Sequence, residues 1–404
     1  MAFVCSERIT MATISIPPLI TAKDKLEGLI LVSGWTLVER LKPSAGSSGG
    51  NFGAGYKATR GTEIAFVKAI DFVDALSAPD PLVELGKLAA MATFEKDVLS
   101  YCSDRGMTKV MKFIGHEYIS SDGSGNPLHN VSCLIMEAGD QDLRRLASVV
   151  GITPCAWNLQ VIKDVSLGLA QLHGGEIAHL DIKPSNVISI KDAVAPSPSA
   201  STVGAVVTSG TLPATIPSSP KLLAKDFKAM KVADLGRVIR KNMSGPFDAH
   251  YWPGDERYQP PERWYGSIPT DWNDSREAAD AYMLASLIVF LFTGSTLQSL
   301  VYSKIPAAFQ PGVWTGAYDQ DLQAVLTDAH AKVLHDQIKP LLIAEISDEM
   351  MTILSGLTRV DPVKRGDVKA RRQIGRPVGM DRIHQKFSAL AATAAAVERG
   401  RVRS

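Results

Sequence analysis

The order of local patterns constrains this chain most: β-favouring runs fall before residue 138, and helix-period runs dominate after it. Short strand-like runs at Trp35-Thr36-Leu37-Val38 and Glu63-Ile64-Ala65-Phe66-Val67 flank a Ser/Gly-rich turn from Ser44 to Gly55. Residues 82–102 then carry Leu85, Leu88, Met91, Ala92, Val98 and Leu99 at helical spacing. Further strands are predicted at 110–118 and 131–136. Beyond Ala138-Gly139 the spacing predicts helices at 157–173, 280–292 and 348–357. A small strand-rich part followed by a larger helix-rich part predicts an α+β fold.

Composition narrows the class. With 404 residues and 45% apolar content the chain can bury a sizeable core, as two or three packed units or as one large two-lobed unit with insertions. Basic and acidic residues balance at 43 against 42, which leaves no global field for nucleic acid or an anionic membrane, so neither is an expected partner. The longest apolar run, Ala281 to Thr293, falls short of the roughly 20 residues a membrane span needs and reads as a buried helix. Cys5, Cys102, Cys133 and Cys155 show no paired spacing, so buried thiols in a reducing, cytoplasmic compartment are expected.

Three segments stand apart. Residues 1–30 show neither a clear period nor a secretory signal and read as an unstructured leader. Residues 192–222 are crowded with Pro, Ser, Ala, Thr and Val and read as a flexible insert. Residues 364–404 hold eleven Lys or Arg against three acidic residues, and 386–404 read as a solvated basic tail that an acidic partner can dock.

The strongest chemical signal is His179-Leu180-Asp181-Ile182-Lys183-Pro184-Ser185-Asn186, a loop between a helix and the apolar run Val187-Ile188-Ser189-Ile190. An aspartate there can accept a hydroxyl proton, a lysine two residues on can neutralise a transferring phosphoryl group, and an asparagine oxygen can ligate Mg²⁺. The loop resembles the H-R-D-x-K-x-x-N catalytic loop of eukaryotic-type protein kinases, and further likenesses follow in that family's order. Gly50-Asn51-Phe52-Gly53-Ala54-Gly55 resembles the glycine-rich loop over the phosphates. Ala65-Phe66-Val67-Lys68 is similar to V-A-I-K, Glu95 to the helix glutamate that pairs with that lysine, and Ala233-Asp234-Leu235-Gly236 to the D-F-G turn. Met136, Glu137 and Ala138 fit the hinge, with Met136 as gatekeeper and the backbone of the other two facing adenine. Pro260-Pro261-Glu262 resembles A-P-E, Asp280 the aspartate opening the buried central helix, and Asp361-Pro362-Val363-Lys364-Arg365 the D-P-x-x-R whose arginine pairs with that glutamate.

The resemblance covers about residues 35–385 and implies a bilobal fold, with a small β-rich N-lobe over 31–138 and a larger helical C-lobe over 139–385. It implies ATP and Mg²⁺ as cofactors and a protein Ser or Thr hydroxyl as acceptor. Asp181 would be the base, Lys183 the phosphoryl contact, Lys68 with Glu95 the nucleotide clamp, and Asn186 and Asp234 the metal ligands. His179 is read as structural. Autophosphorylation of the insert's Ser and Thr residues is a further expectation.

Several positions depart from the family. Leu180 replaces the loop arginine, Ser48 the first glycine, Leu235 the phenylalanine, and Asp255 a threonine that braces the catalytic aspartate and lysine. Gly55 replaces the valine that lids the base, a loss worth about 1 to 2 kcal/mol of nucleotide affinity. Two rival readings share the signals. A pseudokinase would act as a nucleotide-gated scaffold, whereas a small-molecule phosphotransferase would lack Lys183-Pro184, Pro260-Pro261-Glu262 and Arg365.

Overall fold

The computed structural model describes residues 21–42, 53–123, 129–150, 154–190, 228–372 and 378–403. Gly50, Asn51, Phe52, Ser48 and the insert lie outside the described residues. The architecture is α+β. Five strands, β1 (Thr36–Leu41), β2 (Ala54–Arg60), β3 (Glu63–Ile70), β4 (Phe113–Ser120) and β5 (Asn130–Glu137), form an antiparallel sheet in the order β1-β2-β3-β5-β4. Strand β2 begins inside the span read from sequence as a turn, because Tyr56 and Ala58 alternate inward beyond the glycines.

Helix α1 (Pro81–Asp104) separates β3 from β4. It starts where Asp80 accepts the Val83 N–H at 3.2 Å and Pro81 supplies a preset first turn. Leu88, Phe94, Val98 and Leu99 bury one face of it, and Glu95 is buried among them. The helical part contains α2 (Leu143–Val150), α3 (Cys155–Gly174), α4 (Pro261–Trp264), α5 (Ala278–Thr293), α6 (Leu297–Tyr302), α7 (Gln320–Val333), α8 (Ala344–Leu357) and α9 (Met380–Arg403). Two short antiparallel strand pairs cross it. Strand β6 (Ile177–Ala178) pairs with β9 (Ile239–Arg240), and β7 (Val187–Ser189) with β8 (Met230–Val232). Helix α5 is buried on every side from Ala278 to Val289, as its apolar run predicts, and Gly294 ends it in a left-handed cap. Among the described residues no helix is long and apolar enough to cross a membrane.

Two expectations at the ends are corrected. Of the leader read over 1–30, residues 1–20 lie outside the described residues, and 21–30 are not unstructured. Leu26, Leu31 and Trp35 cover the sheet face that carries Tyr56 and Val67, and the Lys23 ammonium sits 3.2 Å from the buried Asp71 carboxylate. The Tyr56 hydroxyl also donates to the Lys23 carbonyl at 2.6 Å. Nor is 386–404 a solvated tail: α9 runs through it and buries Phe387, Leu390, Ala391 and Ala394 in the main core. Lys386 pairs with Asp367 at 3.0 Å, so part of its charge is already neutralised inside the chain.

The thiols of Cys102 and Cys133 are buried, and burial pushes each up to about 12, so both stay protonated at neutral pH. A second buried group makes stability depend on pH. His330 in α7 lies against Tyr282, whose hydroxyl meets Nε2 at 2.9 Å while Nδ1 donates to the Leu326 carbonyl at 2.7 Å. Burial drives its pKa down to about 4, so the ring is neutral when folded. Unfolding frees a histidine that titrates near 6.5. The unfolded chain therefore binds the extra proton, and stability falls by up to about 3 kcal/mol as pH drops from 6.5 towards 4. Denaturant unfolding at pH 7.0 and 4.5 should show this loss in the wild-type chain and a smaller one in His330→Gln. Equal losses in both would assign the acid sensitivity elsewhere.

Candidate active site

Five polar side chains from four segments meet between the sheet and the helical part. Strand β3 carries Lys68 on the face opposite Tyr56, pointing towards α1. Its Nζ lies 2.7 and 2.9 Å from the two Glu95 carboxylate oxygens and 3.4 Å from Oδ1 of Asp234. Gly53 lets β2 approach closely, since a Cβ there would stand 3.3 Å from Cγ of Lys68 and 3.1 Å from the Ala69 carbonyl oxygen. Burial works against the lysine's charge, but Glu95 and Asp234 outweigh it and hold the ammonium above its ordinary range. The Lys68 charge in turn keeps Asp234 below the usual carboxylate range, against burial and with help from His179 and Lys183.

The loop 179–186 runs between β6 and β7, and Asp280 at the start of α5 anchors it. Its carboxylate accepts the backbone N–H groups of His179 and Leu180, each at 2.7 Å, and meets Nε2 of His173 at 2.9 Å. These bonds hold Leu180 at φ 58°, a left-handed conformation costly for a side chain with a Cβ. Leu180 is fully buried, and Gly254 packs against its carbonyl where any Cβ would overlap. His179 is structural as expected, with Nε2 facing the Ala233 carbonyl at 3.1 Å and Nδ1 accepting the Asp181 N–H at 3.2 Å.

This scaffold fixes Asp181, which is 1% exposed. Oδ1 accepts the backbone N–H of Asp255 at 2.8 Å, while Oδ2 faces the Lys183 ammonium at 2.9 Å and the Asn186 amide nitrogen at 3.0 Å. The amide nitrogen of Asn186 also donates to the Asp181 carbonyl, and its oxygen accepts the Ser185 hydroxyl at 3.4 Å, which leaves one lone pair to offer a cation. Asp234 is held at φ 63° just after β8, and the backbone beside it is tied to Asn186 by the Ala233 N–H to Asn186 carbonyl bond of 2.9 Å. Lys68, Glu95, Asp181, Lys183 and Asp234 line one cavity of about 50 Å³, together with Ile70, Leu88, Met91, Ala92, Gly236 and Arg237.

The donor set suits a hard cation. Asp234 is kept ionised, its side chain is 36% exposed, and the Asn186 oxygen is the second donor. Among the described residues no group of three His, Cys, Asp or Glu gathers as a dedicated metal cage. Two protein oxygens suit Mg²⁺, which keeps several waters and shares phosphate oxygens.

Three expectations change on contact with the geometry. Asp255 does approach Lys183, at 3.8 Å, but its tighter partner is Arg257, which bonds both carboxylate oxygens at 2.9 and 2.7 Å. Burial opposes the negative charge, but the Arg257 bonds and Lys183 overcome it and hold Asp255 low. Its backbone, rather than its side chain, braces Asp181. At the end of β5, where a hinge was expected, Met136 is buried, and the Glu137 N–H is spent on the Lys112 carbonyl at 3.0 Å. The Glu137 carboxylate is taken by Lys231 at 2.5 Å and by the Lys112 N–H at 2.6 Å. Ala138 follows β5 directly. Finally, the space left by Gly55 is not open, because the Phe66 ring fills it. The signal for this was present: Phe66 stands where V-A-I-K has alanine. The Asp255-Glu256-Arg257 spacing was the equivalent signal for the ion pair.

No family model and no curated protein matches this chain. The functional reading therefore rests on residues and geometry.

Proposed function

We propose that the chain is an ATP-dependent protein kinase of bilobal fold that transfers the γ-phosphoryl group to Ser or Thr hydroxyls, its own included. One observation carries this reading: a lysine bonded to both a helix glutamate and an aspartate lies in the same cavity as a linked Asp181–Lys183 pair. Separate stretches of chain supply the parts that phosphoryl transfer needs. Lys68, steered by Glu95, would hold the donor's phosphates, and Lys183 would offset charge growing on the transferred group. Asp181 would orient the acceptor hydroxyl and take its proton as the new phosphorus–oxygen bond forms and the bond to the departing diphosphate breaks. Asp234 and Asn186 would hold Mg²⁺, which supplies charge neutralisation at the phosphate oxygens. Lys183, two residues after Asp181, favours Ser or Thr over Tyr as acceptor.

A nucleotide-gated scaffold without transfer is the second reading, favoured by the ring of Phe66 packed under Gly55 on the sheet face that carries Lys68. One assay separates the two. Purified chain, labelled ATP, Mg²⁺ and a generic Ser/Thr protein acceptor should give label on acceptor and chain, and Asp234→Ala should give none. Nucleotide binding without label in the wild-type chain would establish the scaffold. Equal label in both proteins would sink the assignment of Asp234.

A further inference from the structure

The antiparallel register sets Phe66 opposite Lys57 and Met136, and Lys68 opposite Gly55 and Leu134. Opposed residues share a face, so Gly55, Phe66, Lys68 and Met136 form one surface that runs from the glycine segment to the hinge. A Cβ at Gly55 would lie 2.9 Å from Cε2 and 3.3 Å from Cζ of Phe66, and 3.7 Å from the Leu41 Cβ. The ring thus occupies the ground under β2 that a side chain at 55 would take, and it packs onto the main core beside Met136.

Polar readout at the hinge is also reduced, because the Glu137 N–H and carboxylate are engaged with Lys112 and Lys231. The cavity at the ion cluster is lined without Phe66, Met136 or Glu137. Its apolar lining comes from Ile70 and from Leu88, Met91 and Ala92 of α1. The charged groups proposed to handle phosphate line the cavity, while the surface that would read a base carries an aromatic ring.

We infer that Phe66 is the specificity-determining residue of this site, and that the donor is recognised through its metal-bound triphosphate with little reading of the base. The inference rests on the phosphoryl-transfer reading and widens its donor class from ATP to nucleoside triphosphates largely irrespective of base. A purine either lies outside the ring, where solvent keeps its faces, or displaces the ring and forfeits that packing. Neither route rewards one base over another.

Calorimetric titration of the full chain with ATP, GTP, CTP and inorganic tripolyphosphate, each with Mg²⁺, tests this. The four affinities of the wild-type chain should agree within about threefold. In Phe66→Ala the ratio of ATP to tripolyphosphate affinity should rise by about tenfold, equivalent to about 1.4 kcal/mol. Phe66→Leu keeps apolar volume without the flat ring and should fall between the two, which covers the case in which the alanine variant does not fold. A wild-type preference for ATP over tripolyphosphate above tenfold, or a fall in that ratio on truncating Phe66, would overturn the inference and leave the phosphoryl-transfer reading intact. Failure of wild-type chain and variants to bind any of the four would remove that reading, and the inference with it.

Discussion

Replacing Arg365 with Met is expected to cost about 3–5 kcal/mol of unfolding free energy, the range for breaking one side of a buried ion pair. Arg365 and Glu262 are 0% and 1% exposed and bonded by both forks, Nη1 to Oε1 at 3.0 Å and Nη2 to Oε2 at 2.7 Å. The guanidinium also donates to the carbonyls of Arg359 at 2.7 Å and Ala278 at 3.2 Å. Methionine would therefore strand a carboxylate and two carbonyls in a place water does not reach. Glu262→Gln should cost less, because the amide oxygen still accepts one fork. Glu262→Met combined with Arg365→Met should recover much of the loss, since two apolar side chains leave no unpaired charge. Denaturant midpoints at pH 7 would measure all three. The consequence should reach the site, because Ala278 lies two residues before Asp280, which anchors the loop carrying Asp181. A single variant within about 1 kcal/mol of wild type would show that the neighbourhood relaxes or hydrates, and would remove the pair from the fold's main supports.

Contiguous chemistry was the part of this molecule most legible in sequence. The loop from His179 to Asn186 announces itself because its polar residues sit next to each other, and the structure brings Asp181, Lys183 and Asn186 within hydrogen-bond reach. The helix at 157–173 and the buried run at 281–293 were equally plain, since their periods are written in large apolar residues. What stayed hidden depends on partners far away in the chain. Leu26, Leu31 and Trp35 pack on the sheet from an irregular backbone, which has no period to detect. The last helix buries mainly alanines below Phe387 and Leu390, so its charged residues dominated the composition and masked the buried stripe. Phe66 looked like one more strand residue. Only the pairing of β2 with β3 puts its ring under Gly55, and register is a property of two strands rather than one.

The other large effect is on chemistry. Asp181→Asn should lower phosphoryl transfer by about 10²- to 10⁴-fold, the usual contribution of a positioned general base. The reason lies in which atoms surround the carboxylate. Oδ1 faces the Asp255 N–H and Oδ2 faces the Lys183 ammonium and the Asn186 amide, so every neighbour is a donor. An asparagine must turn its NH₂ towards one of these sets and sets donor against donor in a site that is 1% exposed. On the proposed reading it would lose the group that takes the hydroxyl proton, and it would loosen Lys183, which that charge holds at 2.9 Å. Lys68 and Asp234 meet on the other side of the cavity and keep their own contact of 3.4 Å, so binding of Mg²⁺ with a triphosphate should move by only a fewfold. Lys68→Ala should show the opposite split, with binding weakened because the ammonium proposed to hold the donor's phosphates is gone. Transfer rates under saturating donor, set beside titrations of the same proteins, separate the two. Wild-type turnover in Asp181→Asn would show that the proton leaves by another route, and the loop would then be a positioning element rather than the base.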